Sequence, residues 1–159
     1  MILELILRWA HVIGAAVLLG TGAGIAFFML MAHRTRDARL IAHVSRTVVI
    51  ADWIFTASAV VIQPITGLWL AHLVGWPISE GWVVASLSLY VMVGVFWLPV
   101  VWIQHRLHSI AQAAADTGAA LPAGYFRLFR IWFACGFPAF AGVLAILWLM
   151  VARPSITLF

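Results

Sequence analysis

An all-α bundle of four membrane-spanning helices, with its N-terminus and C-terminus outside (periplasmic), is the architecture this sequence predicts. Three observations carry it. Hydrophobic residues make up 65% of the 159 residues and charged residues 9%, against about 45–50% and about 25% in an ordinary soluble domain. A soluble chain this short has too much surface to hide so many apolar side chains. Four apolar segments, at about 3–31, 47–72, 82–104 and 131–152, each exceed the ~18 residues that mark a spanning helix. Arginines fall on alternate connections, as the positive-inside rule requires. Residues 1–159 are read as a single transmembrane domain, so any chemistry must be built inside or at the edges of the bundle.

The first segment is apolar from Met1, carries Glu4 early and is too long for the apolar core of a signal peptide, which makes it the first spanning helix. Glu4, Arg8 and His11 share one face, which continues through Ala15, Leu18 and Gly22. Ala16, Gly20 and Gly24 form a small-residue face on the other side, where a second helix can approach closely. Two differently used faces predict a helix packed on both sides. The connection over 33–46 holds Arg34, Arg36, Arg39 and Arg46.

On the second helix Asp52, Thr56, Ala59, Gln63 and Thr66 make a polar stripe, with Pro64 able to open the backbone beside Gln63. His72 ends that helix, at about the depth of His11 if Glu4 and Arg8 lie among the headgroups. The connection over 73–81 has no arginine and one acid, Glu80. The third helix carries Ser86, Tyr90, Trp97, Gln104 and His108 within one narrow arc. Beyond it, the alanines at 111 and 113–115, then Gly118 and Pro122, predict a helical extension followed by a turn. The fourth helix aligns Cys135, Ala139 and Gly142, with Pro138 as a kink.

Seven arginines on the first and third connections, against none on the second, place those two connections in the cytoplasm. Arg8 and Arg153 fall on the outer side at helix ends, where a long side chain snorkels to the headgroups. Trp9, Trp69, Trp76, Trp82 and Trp148 mark the outer interface and Trp53, Trp102 and Trp132 the inner one, leaving Trp97 deeper. The net charge of +4 is assigned to topology and lipid headgroups rather than to nucleic acid. One cysteine, Cys135, excludes an intramolecular disulfide and any multi-cysteine metal or iron–sulfur site. No phosphate-binding glycine loop, nucleophile elbow or His-Glu-x-x-His motif is present.

Polar side chains in lipid are costly, so each is a functional candidate. His11 can ligate a metal or a haem iron, with Gly14 and Ala15 leaving flat space for a porphyrin, or it can simply bond a neighbouring helix. His72 is the companion ligand candidate, or an interface histidine. His105 and His108, near where His33 leaves the first helix, form a second candidate metal or haem site at the cytoplasmic end, or headgroup contacts. Asp52 either relays protons or pairs across the bundle with Arg127 or Arg130. Tyr90 and Trp97 are either core or the wall of a cofactor site.

The run from Arg8-Trp9-Ala10-His11 to Gly20-Thr21-Gly22, the run Ile62-Gln63-Pro64-Ile65-Thr66-Gly67-Leu68, and the stretch over 125–154 with Trp132, Gly136, Pro138, Ala139, Met150 and Arg153-Pro154 carry a resemblance. Together they resemble a family of predicted bacterial integral membrane proteins of unknown function. The first helix is also similar to those of the CopD copper-resistance membrane proteins and the HemJ-type protoporphyrinogen oxidases. The HemJ likeness implies haem b held by a histidine early in the first helix, the position of His11. The second HemJ ligand has no obvious counterpart, since this chain contains no lysine.

The leading expectation is a bacterial inner-membrane protein that binds haem b and passes electrons or oxidises a small hydrophobic substrate such as a porphyrinogen or quinol. It would work in the lipid bilayer with a membrane redox partner or a larger complex, or as a homo-oligomer. The alternative from a different class is a non-catalytic accessory or assembly subunit. A third is copper handling, for which Met29, Met31, Met92 and Met150 are scattered rather than clustered.

Overall fold

The computed structural model describes residues 1–156. It is all-helical, and four helices are long and apolar enough to cross a membrane. Helix α1 runs Ile2–Thr35, α2 Ala38–Ala51, a π-helical turn Asp52–Ala57, α3 Ser58–Val74, α4 Gly81–Thr117 and α5 Ala123–Ala152. The π turn joins α2 to α3 without a break, so Ala38–Val74 is one rod.

The helices outrun the segments that hydropathy marks. The first connection shrinks to little more than Arg36 and Asp37. Arg36 adopts the left-handed conformation (φ 57°) that ends α1, and the Asp37 carboxylate then caps α2, accepting from the Arg39 and Leu40 amides at 2.8 and 3.3 Å. Most of the expected 33–46 connection is therefore helix. Its apolar residues lie on one face, with Ile41, Ala42, Ser45 and Val48 buried and Arg39, His43 and Arg46 exposed. A membrane-length window averages over such an amphipathic turn and misses it. Helix α4 likewise continues to Thr117 and stops at Gly118 (φ 66°), where Ala119 donates to the Ala114 carbonyl at 3.0 Å.

Where the core sits follows from the solvent. Lipid gives apolar side chains no reason to leave it, so packing inside a bilayer relies on shape and polar contacts rather than on the hydrophobic effect. Among the described residues one buried apolar cluster forms, toward the end that carries the arginines, and it draws on every rod: Met29, Ile41, Leu107, Ala111, Tyr125 and Phe129. There His33 stacks on Phe129 at 3.6 Å between ring centroids and hydrogen-bonds the Tyr125 hydroxyl at 3.4 Å, joining α1 to α5. Elsewhere large apolar side chains such as Phe28, Val61, Val95 and Phe137 face outward.

Around the bundle α3 packs on α1, α1 touches α5, and α5 packs on α4. Helix α2, the arginine-end half of the second rod, leans on α4, whereas α3 leans on α1 and stays apart from α4. The rod thus forks away from α4 at the π turn. One expectation holds only in part: α1 meets the second rod and α5, but its small-residue face is not covered. Ala16 and Gly20 are exposed, and a Cβ added at Gly20 or Gly24 would meet nothing within 4 Å.

Candidate functional site

The fork opens a cleft of about 490 Å³ between the second rod and α4. Trp53, Ala57, Val60 and Val61 line one side, and Trp97, Leu98, Val101, Trp102 and His105 the other. Trp53 and Trp102, each 60% exposed, form its outer lips. The Trp53 indole Nε1 donates to His105 Nε2 at 3.2 Å across the gap. A second tie follows from Pro64. A proline has no N–H for the carbonyl four residues earlier, which is that of Val60, and the Tyr90 hydroxyl of α4 donates to this carbonyl instead. Tyr90 is therefore a strut between two helices that otherwise stay apart.

Polar side chains are buried beside the cleft without lining it. Asp52, Thr56 and Gln104 are 5%, 7% and 2% exposed. Thr56 Oγ1, Trp97 Nε1 and Gln104 Nε2 are buried without a hydrogen-bond partner among the described residues. Buried polar groups are nearly always paired, and in lipid an unpaired one is expensive. A small void of about 10 Å³ touches Asp52 and shares Trp53, Ala57, Trp97 and Val101 with the cleft. The expected ion pair between Asp52 and Arg127 or Arg130 does not form. Both arginines are exposed on α5, whereas Asp52 lies on the π turn, which packs against α1 and its own rod. Glu4–Arg8, at 2.7 Å, is the one salt bridge among the described residues.

His11 lies away from the cleft, between α1 and α3. Its Nδ1 is 3.0 Å from Thr66 Oγ1. The threonine has one proton, and its hydroxyl is placed to donate it to the Ile62 or Gln63 carbonyl at 2.9 or 3.2 Å. The threonine oxygen then accepts from His11 Nδ1–H, which leaves Nε2 with its lone pair. Gln63 Nε2 donates to the His11 carbonyl at 2.8 Å.

These contacts correct the expected porphyrin wall. A Cβ at Gly14 would come within 2.6 Å of Gln63 Nε2, and one at Gly67 within 2.9 Å of the His11 ring. The glycines bring α1 and α3 together rather than leaving a slot, and Ala15 is half-buried beside them. His72 is not level with His11. Thr66 is, and His72 is exposed about 9 Å further along α3. Two nitrogens on opposite sides of one metal are only about 4 Å apart, so these two histidines do not form a pair of axial ligands. His105 and His108 also diverge, since His108 Nδ1 contacts Ser45 Oγ at 3.1 Å while His105 meets Trp53. Among the described residues no three His, Cys, Asp or Glu side chains come together as a metal site. The residues present thus offer a haem one nitrogen and no pocket, and copper no donor set.

A family model described as a predicted integral membrane protein, DUF2269, matches residues 5–154. The chain belongs to that family. The DUF2269 match takes in the cleft, the polar residues buried beside it and the His11 contacts together, so all three lie within the family's span. Neither the curated proteins nor the solved structures compared with the chain gave a match.

In this DUF2269 chain the sequence stripe Asp52, Thr56, Ala59, Gln63, Thr66 is buried throughout. Its residues split between two places: Asp52 touches the small void beside the cleft, whereas Gln63 and Thr66 serve His11. Sequence reading names the stripe but not the division, because the fork that causes it is set by which neighbour each half of the rod leans on. Trp53 is missed as a lining residue because its sequence position reads as an interface anchor.

Proposed function

We propose that the protein is a binding site in the membrane for a small hydrophobic molecule with a polar head, of the quinol or porphyrinogen type, which enters sideways from the lipid. One observation carries the reading: an apolar, tryptophan-lipped cleft open to the side, with a small void next to it that touches the buried Asp52. Ligand sites combine an apolar lining with a few placed polar groups in this way. The arginine distribution supports an orientation with the arginine-rich end in the cytoplasm, and the family description supports a place in a membrane.

The test is to purify the protein in lipid nanodiscs, extract it with organic solvent and identify what is held by mass spectrometry. A quinol- or porphyrinogen-class molecule at near one per chain is expected, and it should be lost from Val101→Trp, which fills the cleft. An extract containing phospholipid alone would sink the reading.

A second reading, haem b on His11 with a redox role, draws support from the Thr66 contact, which leaves Nε2 its lone pair, and requires α1 and α3 to part where Gly14 and Gly67 now bring them together. It also accords with the first-helix resemblance to HemJ-type proteins. Haem would supply one-electron chemistry. A Soret band that is present in protein from haem-replete cells and absent from His11→Ala is what it requires. The accessory-subunit alternative is favoured by the uncovered Ala16–Gly20–Gly24 face, and co-purification of a partner that Gly20→Leu releases is its test.

A further inference from the structure

The two ends of the cleft differ, and the difference bears on the charge of what it holds, a step that rests on the cleft being a binding site. Along α4 the lining runs from Trp97 to His105, eight residues or about 12 Å of helix. Its walls are aromatic and aliphatic. They offer a polar head no place inside, so the apolar body of a ligand fills the cleft and the head lies beyond one end. Past Trp97 and Leu98 the outer surface of α4 stays apolar, with Val91 and Val95 exposed. At the other end the same exposed stripe passes through Trp102 and stops on Arg106.

The Arg106 guanidinium carbon is 6.0 Å from the centroid of the Trp102 ring, an outer lip of the cleft, and Arg106 has no salt bridge among the described residues. The five acids of the chain are engaged or distant. Glu4 pairs with Arg8, Asp37 caps α2 and Asp116 accepts from Gln112, while Glu80 precedes α4 at its far end and Asp52 is buried on the second rod. Arg46, exposed on α2 two turns before Trp53, adds a second positive charge toward the same end. His105 adds a donor. The Trp53 indole can only donate, so His105 Nε2 accepts and the neutral ring carries its proton on Nδ1. We propose that the cleft selects a hydrophobic molecule with a carboxylate head, its body against the tryptophans and its head on Arg106 at the arginine-rich end. A guanidinium meets a carboxylate through two parallel N–H···O bonds. The volume of about 490 Å³ suits one compact molecule rather than a two-chain phospholipid. A neutral hydroquinone leaves the charge unused, so of the classes named for the cleft the site favours one that carries a carboxylate.

The experiment measures equilibrium binding of decanoate, methyl decanoate and decylamine to the full chain in nanodiscs of zwitterionic lipid, at mildly alkaline pH, with uptake by empty nanodiscs subtracted. Wild type should bind decanoate at least about tenfold more tightly than the ester, or about 1.4 kcal/mol, and the amine most weakly. Arg106→Gln should bring decanoate to the level of the ester and leave the ester unchanged, Arg106→Lys should keep part of the preference, and Val101→Trp should abolish binding of all three. The preference should persist when an anionic phospholipid is added to the nanodisc. Its disappearance there would assign Arg106 to lipid headgroups and overturn the proposal, as would an undiminished preference in Arg106→Gln. Equal affinity of wild type for decanoate and ester also overturns it, yet leaves the cleft as a binding site. Failure of all three to bind overturns the cleft reading as well.

Discussion

His11 is held by a hydroxyl that has already committed its own proton, and this fixes the chemistry of the ring more tightly than its position in a membrane helix does. Nitrogen-15 NMR of the imidazole should show the neutral tautomer protonated at Nδ1. Thr66→Val should remove that bias, and Gly67→Ala should do the same by placing a methyl group where the ring now lies. A wild-type ring protonated at Nε2 would overturn the assignment. The sequence singles out His11 as the most informative histidine and reads the glycine and alanine beside it as room for a cofactor. Spacing alone cannot separate space left for a ligand from space taken by a neighbouring helix. At Gly14 the occupant is the Gln63 amide, which comes from a helix some fifty residues away in the chain.

At the scale of the helix, Pro64 and Tyr90 form a matched pair. The proline strands the Val60 carbonyl, and the tyrosine hydroxyl meets it. Tyr90→Phe should therefore cost about 1–3 kcal/mol, the penalty for a buried acceptor left without a partner. In a Pro64→Ala background the restored N–H can serve Val60, so the same substitution should cost much less. A double-mutant cycle on unfolding free energy measures the difference, and additive effects would dissociate the two residues. A milder effect is expected at the start of α2, where Asp37→Ala removes the cap and should cost about 1 kcal/mol. Hydropathy and arginine placement predict the four spanning helices well, because both report on the solvent each residue meets. The π turn escapes such a reading, since it is an extra residue absorbed within an unbroken helix and alters no composition. The cleft that opens beside it escapes for the same reason.

Over the whole molecule, stability is distributed unevenly. Leu107 is fully buried in the cluster at the arginine-rich end, whereas Val95 is 62% exposed on a lipid-facing surface. Leu107→Ala should cost about 2–5 kcal/mol. Val95→Ala should fall within about 0.5 kcal/mol, since an apolar side chain facing lipid gives up no buried contacts. Comparable losses at both sites would contradict a core confined to one end. Tyr125 and Phe129 complete that core from α5, which is synthesised after the other rods. While the ribosome is still making α4, the inward face of α2 that carries Ile41 has α1 beside it but lacks the cover of α4 and α5. The nascent chain therefore carries a partly uncovered hydrophobic face until α5 arrives, and a chain ending at Gly118 should be a substrate for membrane quality-control proteases rather than a shorter stable protein.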